Sequence, residues 1–161
     1  AVHAHDLALA EGNPITATRI RGLLLEGHIE KANELLGYGY HIQGTVVPGR
    51  GAGTDLGFST ANLHFDQLPP LLGEGVYGGR VFVGEVPYKA AIAVGVSPVF
   101  EEEATALCEV HLIDFEGDVY GQTLEVEFLA YIRPMIKFDS VEALIAEVKS
   151  NIEWIKENLE L

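Results

Sequence analysis

The chain has 161 residues, 48% of them hydrophobic, with 24 acidic against 10 basic side chains and a formal charge of −14. Length and apolar content give one domain with a buried core and room for a short appendage, and they exclude a disordered chain. The charge argues against a nucleic-acid partner or an anionic membrane surface, both of which would be repelled. It is also uneven: residues 101–161 carry 15 acidic and 4 basic side chains, residues 1–100 carry 9 and 6. An anionic ligand is therefore expected on the first hundred residues.

Residues 1–37 differ from the rest. Apolar spacing predicts two short helices, Thr18 to Leu25 and Glu30 to Leu36, with Pro14 and Thr16 at the first start and Gly27 and Gly37 as stops. They carry little core of their own. From Tyr38 the period changes to two, and strands are predicted at His41–Val47, Val76–Val83, Lys89–Val96, Leu107–Asp114 and Leu124–Ile132. The turn residues Phe115-Glu116-Gly117-Asp118 predict that the last two strands form a hairpin. With no long helix between strands, a small antiparallel barrel or sandwich is expected. A C-terminal amphipathic helix closes the chain: Asp139 is expected to cap it with Glu142 reaching back. Val141, Leu144, Ile145, Val148, Ile152, Ile155 and Leu159 form its apolar face, with Trp154 at the packing edge.

The single cysteine, Cys108, lies in an apolar stretch and reads as a buried structural thiol in a reducing cytoplasm. There is no apolar run long enough to cross a membrane and no secretory signal pattern. The start Ala1-Val2-His3, without Met, reads as a piece of a longer protein. P-loop, Cys-x-x-Cys, His-Glu-x-x-His and Gly-x-Ser-x-Gly patterns are absent, and the six histidines have no zinc-ligand spacing.

Three segments carry chemistry. Residues 46–63 place glycines at 49, 51, 53 and 57 directly after a strand. Such density lets backbone N–H groups approach an anion, although a flexible hairpin loop has the same composition. Thr60 and Asn62 follow, two apart and so on one face of an extended chain. Their neutral oxygens suit Mg²⁺ already carrying phosphates, or else satisfy a turn. In the second segment, Cys108, Val110 and Leu112 facing the core would turn Glu109 and His111 the other way together. That suits Glu109 as a general base, or an ordinary polar strand face. The third, Tyr131 to Phe138, joins the last strand to the helix and brings Arg133, Lys137 and Phe138 into one connection. It suits stacking on a flat ligand, or a staple at the helix start.

Together these segments resemble the riboflavin kinase family, in particular the C-terminal kinase module of bacterial bifunctional riboflavin kinase/FAD synthetases. The resemblance runs from about residue 16 to the C-terminus. It is carried by Leu56-Gly57-Phe58-Ser59-Thr60-Ala61-Asn62, Gly75-Val76-Tyr77, Glu109-Val110-His111, Gly117-Asp118-Val119-Tyr120-Gly121 and Arg133-Pro134 with Lys137-Phe138-Asp139-Ser140. Ile15-Thr16-Ala17-Thr18-Arg19-Ile20-Arg21 is similar to the motif that closes the adenylyltransferase module of those enzymes. Residues 1–37 then read as the helical remnant of that module, and 38–161 as the kinase barrel with its helix.

The resemblance implies a mainly β fold: a six-stranded antiparallel Greek-key barrel with a C-terminal helix and short N-terminal helices. It implies Mg²⁺-dependent transfer of the ATP γ-phosphate to the riboflavin 5′-hydroxyl, giving FMN and ADP. Carried over by position, Glu109 is the catalytic base, and Thr60 and Asn62 hold Mg²⁺. Gly49, Gly51, Gly53, Thr60, His111 and Tyr120 bind ATP, while Arg133 and Phe138 contact the flavin. Ser59, Asp55 and Ser97 stand where the family usually has Pro, a basic residue and Asn. The competing readings are a flavin- or nucleotide-binding relative with little or no turnover, and an interaction domain using the acidic C-terminal half.

Overall fold

A computed structural model of the chain describes residues 8–49, 58–65, 72–96 and 106–161. A two-residue turn at Glu11 and Gly12, both with positive φ, joins β1 (Leu9–Ala10) to β2 (Asn13–Pro14). Helix α1 (Ala17–Leu25) starts where the Thr16 hydroxyl accepts the Arg19 N–H at 3.1 Å, and α2 (Ile29–Leu36) stops at Gly37, whose φ of 78° is left-handed. The strands are β3 (Tyr40–Val47), β4 (Ala61–His64), β5 (Gly75–Val83), β6 (Val86–Val96), β7 (Ala106–Leu112) and β8 (Thr123–Arg133). Helix α3 (Val141–Asn158) follows.

The six longer strands close into an antiparallel barrel in the order β3-β4-β7-β6-β5-β8, with β8 pairing back onto β3. Strands β5, β6 and β7 meander and β8 returns beside β5, which is the Greek-key connection expected. Alternation fills the interior with Val46, Leu63, Tyr77, Val81, Ile92, Val94, Cys108, Val110, Leu124, Val126 and Phe128, all buried. The N-terminal helices share this core: Leu24, Ile29 and Ala32 are buried within the same cluster. Asn33 fastens α2 to the barrel, donating to the Phe128 carbonyl and accepting the Tyr40 N–H, each at 2.8 Å.

Four expectations need correction. The strands β7 and β8 do not form a hairpin: β7 pairs with β4 and β6, and β8 with β3 and β5. The cause is local. The chain leaves β7 through Ile113 and Asp114, the latter at φ 58°, and is caught at the barrel end by Val46, which exchanges backbone bonds of 2.9 Å with Gly121 and Gln122. That delivers β8 to β3. Secondly, β4 is a strand that the apolar pattern alone did not mark. Thirdly, Ser140 rather than Asp139 caps α3, its hydroxyl accepting the Ala143 N–H at 3.1 Å. Finally, Val141 is 52% exposed, so the apolar face begins at Leu144.

Candidate functional site

The site grows from the pairing of two strands. In the β4–β7 ladder Ala61 lies opposite Val110 and Asn62 opposite Glu109. Ala61 and Val110 are buried, so Asn62 and Glu109 share the opposite face of the sheet. Thr60 precedes the ladder on the same side, and the Ser59 carbonyl lies 2.9 Å from His111 Nδ1. The His111 ring also meets Phe58 edge-on at 5.9 Å, so the start of β4 is held against β7 by contacts at 58, 59 and 111. On the other side of β7, Glu109 pairs with Ala93 and His111 with Ala91. Two methyl side chains therefore leave open space beside the carboxylate and imidazole.

That space is an apolar cavity of about 220 Å³ under α3. Ala91, Ala93 and Glu109 form its floor, and Arg133, Phe138 and Leu144 stand around it. A second, wider cavity of about 560 Å³ lies toward the 115–120 turn and includes Tyr120 and Val46. Thr60 and His111 line both. The turn is shaped by the Asp118 carboxylate, which accepts the Tyr120 N–H at 2.8 Å.

Thus Glu109, Arg133 and Phe138 meet in the smaller cavity, Tyr120 lies in the larger, and Thr60 and His111 belong to the wall between. Asn62 is among the lining residues of neither; its carboxamide lies against Gly49, where an added β-carbon would collide with it. Gly51, Gly53, Asp55 and Ser97 lie outside the described residues. The Arg133 guanidinium sits over the Phe138 ring at 5.6 Å, with Nε 3.0 Å from Glu147 Oε1 and 3.1 Å from Asn151 Oδ1. Glu147 and Asn151 did not emerge from the sequence. One signal was present: Asn151 lies three residues after Val148 and four before Ile155, on the apolar stripe, and is 4% exposed.

Cys108, directly behind Glu109 in β7, is buried, and its thiol is pushed up to about 12 by burial and by the Glu109 charge. It is structural, as expected, and no nucleophile. Among the described residues no three His, Cys, Asp or Glu side chains converge as metal ligands. The oxygens offered near Glu109 are those of Thr60 and Asn62, a hard neutral pair that fits Mg²⁺ carrying phosphates rather than a protein-caged ion. Among the described residues no helix is long and apolar enough to cross a membrane.

A family model described as riboflavin kinase matches residues 36–159. The chain is 35% identical over 148 residues to a bifunctional riboflavin kinase/FMN adenylyltransferase of Listeria monocytogenes, covering 91% of this chain and 46% of that protein. It is 36% identical over 128 residues to the riboflavin kinase of Homo sapiens, covering 76% of this chain and 82% of that one. A crystal structure from Streptococcus pneumoniae, described as a macrolide-efflux protein, superposes with a TM-score of 0.87 at 36% identity, over 94% of this chain and 49% of the other. The chain spans about half the length of the bifunctional relatives that it matches.

Proposed function

The chain belongs to the riboflavin kinase family, and from that premise we propose that it transfers the γ-phosphate of ATP to the 5′-hydroxyl of riboflavin, giving FMN and ADP. The observation that carries this reading is the pair of adjoining cavities, one apolar and one more polar, with Thr60 and His111 in their common wall and Glu109 at the floor of the apolar one. Phosphoryl transfer requires two substrates brought end to end and the developing charge neutralised; it requires little covalent chemistry from the protein.

In this reading the flavin ring occupies the apolar cavity between Phe138, Arg133 and the Ala91–Ala93 floor, and its ribityl chain runs toward Glu109. Glu109 takes the proton of the 5′-hydroxyl as it attacks. ATP lies in the wider cavity beside Tyr120 and His111, and Gly49, Gly51 and Gly53 cover its phosphates. Thr60 and Asn62 hold Mg²⁺, which when bound supplies neutralisation of the phosphate charge. Gly49 and Glu109 then orient Asn62 from its two sides. We assign residues 1–37 to the end of an adenylyltransferase module joined to this one in the full-length protein, and we place the protein in the cytoplasm.

The test is product formation. Folded chain with riboflavin, ATP and Mg²⁺ is expected to give FMN on chromatography, and ATP binding is expected to fall sharply in EDTA. Glu109→Gln should still quench flavin fluorescence while turnover drops by roughly 10²- to 10⁴-fold. Flavin quenching without any FMN would replace this reading with that of a non-catalytic binding relative.

A further inference from the structure

We infer that Asn151 and Glu147, on the helix that closes the apolar cavity, are positioning residues for the flavin end of the site, acting through Arg133; the inference rests on the kinase reading above. Arg133 ends β8 and lines the cavity, and its guanidinium is held through Nε and Nη1. Its Nε–H donates to Asn151 Oδ1 at 3.1 Å with Glu147 Oε1 3.0 Å away, its Nη1 donates to the Pro134 carbonyl at 3.1 Å, and one face covers Phe138. The side chain is 16% exposed and Glu147 balances its charge on the spot.

Asn151, at the edge of the same cavity, is the one buried amide or charged side chain among the described residues. Its amide group is used in full on the other side, donating to the Glu147 carbonyl and, at 3.1 Å, to Glu147 Oε1. The three side chains therefore form one closed unit that ties the middle of α3 to the end of β8. The connection 134–140, with Phe138, is anchored between them. A buried polar group in an otherwise apolar helix face is costly unless it is fully bonded, and an apolar residue would pack there without that cost. What the polar unit adds is a fixed direction for the guanidinium, and so a fixed distance between Phe138 and the alanine floor, the slot into which a flat ring must slide.

The experiment measures the riboflavin dissociation constant by fluorescence quenching and separate KM values for riboflavin and ATP from FMN formation. Asn151→Ala and Glu147→Leu are each expected to weaken riboflavin about tenfold in both readouts, with KM for ATP within about twofold, the loss of one charge-assisted bond. Glu147→Gln keeps an acceptor and is expected to lose less than Glu147→Leu. Because Asn151 acts through Arg133, Arg133→Ala with Asn151→Ala should be no worse than Arg133→Ala alone. Unchanged riboflavin affinity in both Asn151→Ala and Glu147→Leu, or losses that simply add, would overturn the inference while leaving the kinase reading intact. No FMN from the unsubstituted chain would overturn both. Should Asn151→Ala fail to fold, Glu147→Leu decides, since Glu147 is 38% exposed.

Discussion

Gly49 is placed where a β-carbon would run into the carboxamide of Asn62, which itself faces Glu109 across the strand pair. Replacing it by alanine must move that carboxamide. Gly49→Ala is therefore expected to weaken ATP binding in Mg²⁺ by about tenfold while riboflavin binding holds, since Asn62 lines neither cavity and touches the metal end in our reading. Titration of each ligand separately checks this, and equal losses for both would point to a damaged barrel instead. Of the residues involved, Thr60, Asn62, Glu109 and His111 were legible in the sequence because a period of two is enough to place alternate side chains on one face. That Asn62 and Glu109 stand opposite each other was not legible, because strand register over 47 positions leaves no mark in composition. Asn151 was legible in principle, as a polar residue on an apolar stripe.

At the scale of elements, local signals were reliable where the structure is local. Gly37 stops α2 and Thr16 starts α1 because each needs only its own neighbours to act. Strand β4 has four residues and is separated from β3 by residues 48–60, and its hydrogen bonds run to β3 and to β7, the latter more than forty residues on. Nothing nearby announces it. The β7–β8 turn misled for the complementary reason: Phe115 to Asp118 does turn the chain, but Val46 decides where it goes. The same dependence on distant partners appears at α2, where Asn33 bonds both strands at the Tyr40–Phe128 pair. Asn33→Ala withdraws a donor and an acceptor at once and is expected to cost about 1–3 kcal/mol, read from urea unfolding; a shift near zero would mean that α2 is held by the packing of Ile29 and Ala32 and by Glu30, which accepts the Tyr131 N–H.

The molecule as a whole has a stability that depends on pH at the alkaline end. The Tyr77 hydroxyl, which donates to the Gly73 carbonyl at 2.6 Å, is pushed up to about 12 by burial, helped by Tyr131 and Glu30; Cys108 is likewise pushed up to about 12. Both groups titrate later folded than unfolded. The folded state therefore holds more protons between the ordinary values of 9.0 and 10.0 and about 12, and stability present in full below pH 9 is lost as pH rises through that window. Through these two groups the thermal unfolding temperature should fall as pH rises above about 9. Because the −14 charge also grows more negative there, the decisive comparison is Cys108→Ala, expected to show a shallower decline; an identical slope would remove Cys108 as a contributor. The same excess of acid bears on ligand binding, and the two cavities answer it together. Thr60 and His111 form part of both walls, so an occupant of either cavity borders whatever fills the other. Binding free energies around a closed cycle sum to zero. A nucleotide that changes flavin affinity by some factor is therefore itself held more or less tightly, by that same factor, whenever flavin is present. Four titrations, each ligand alone and each with the other bound, must yield one coupling constant between them.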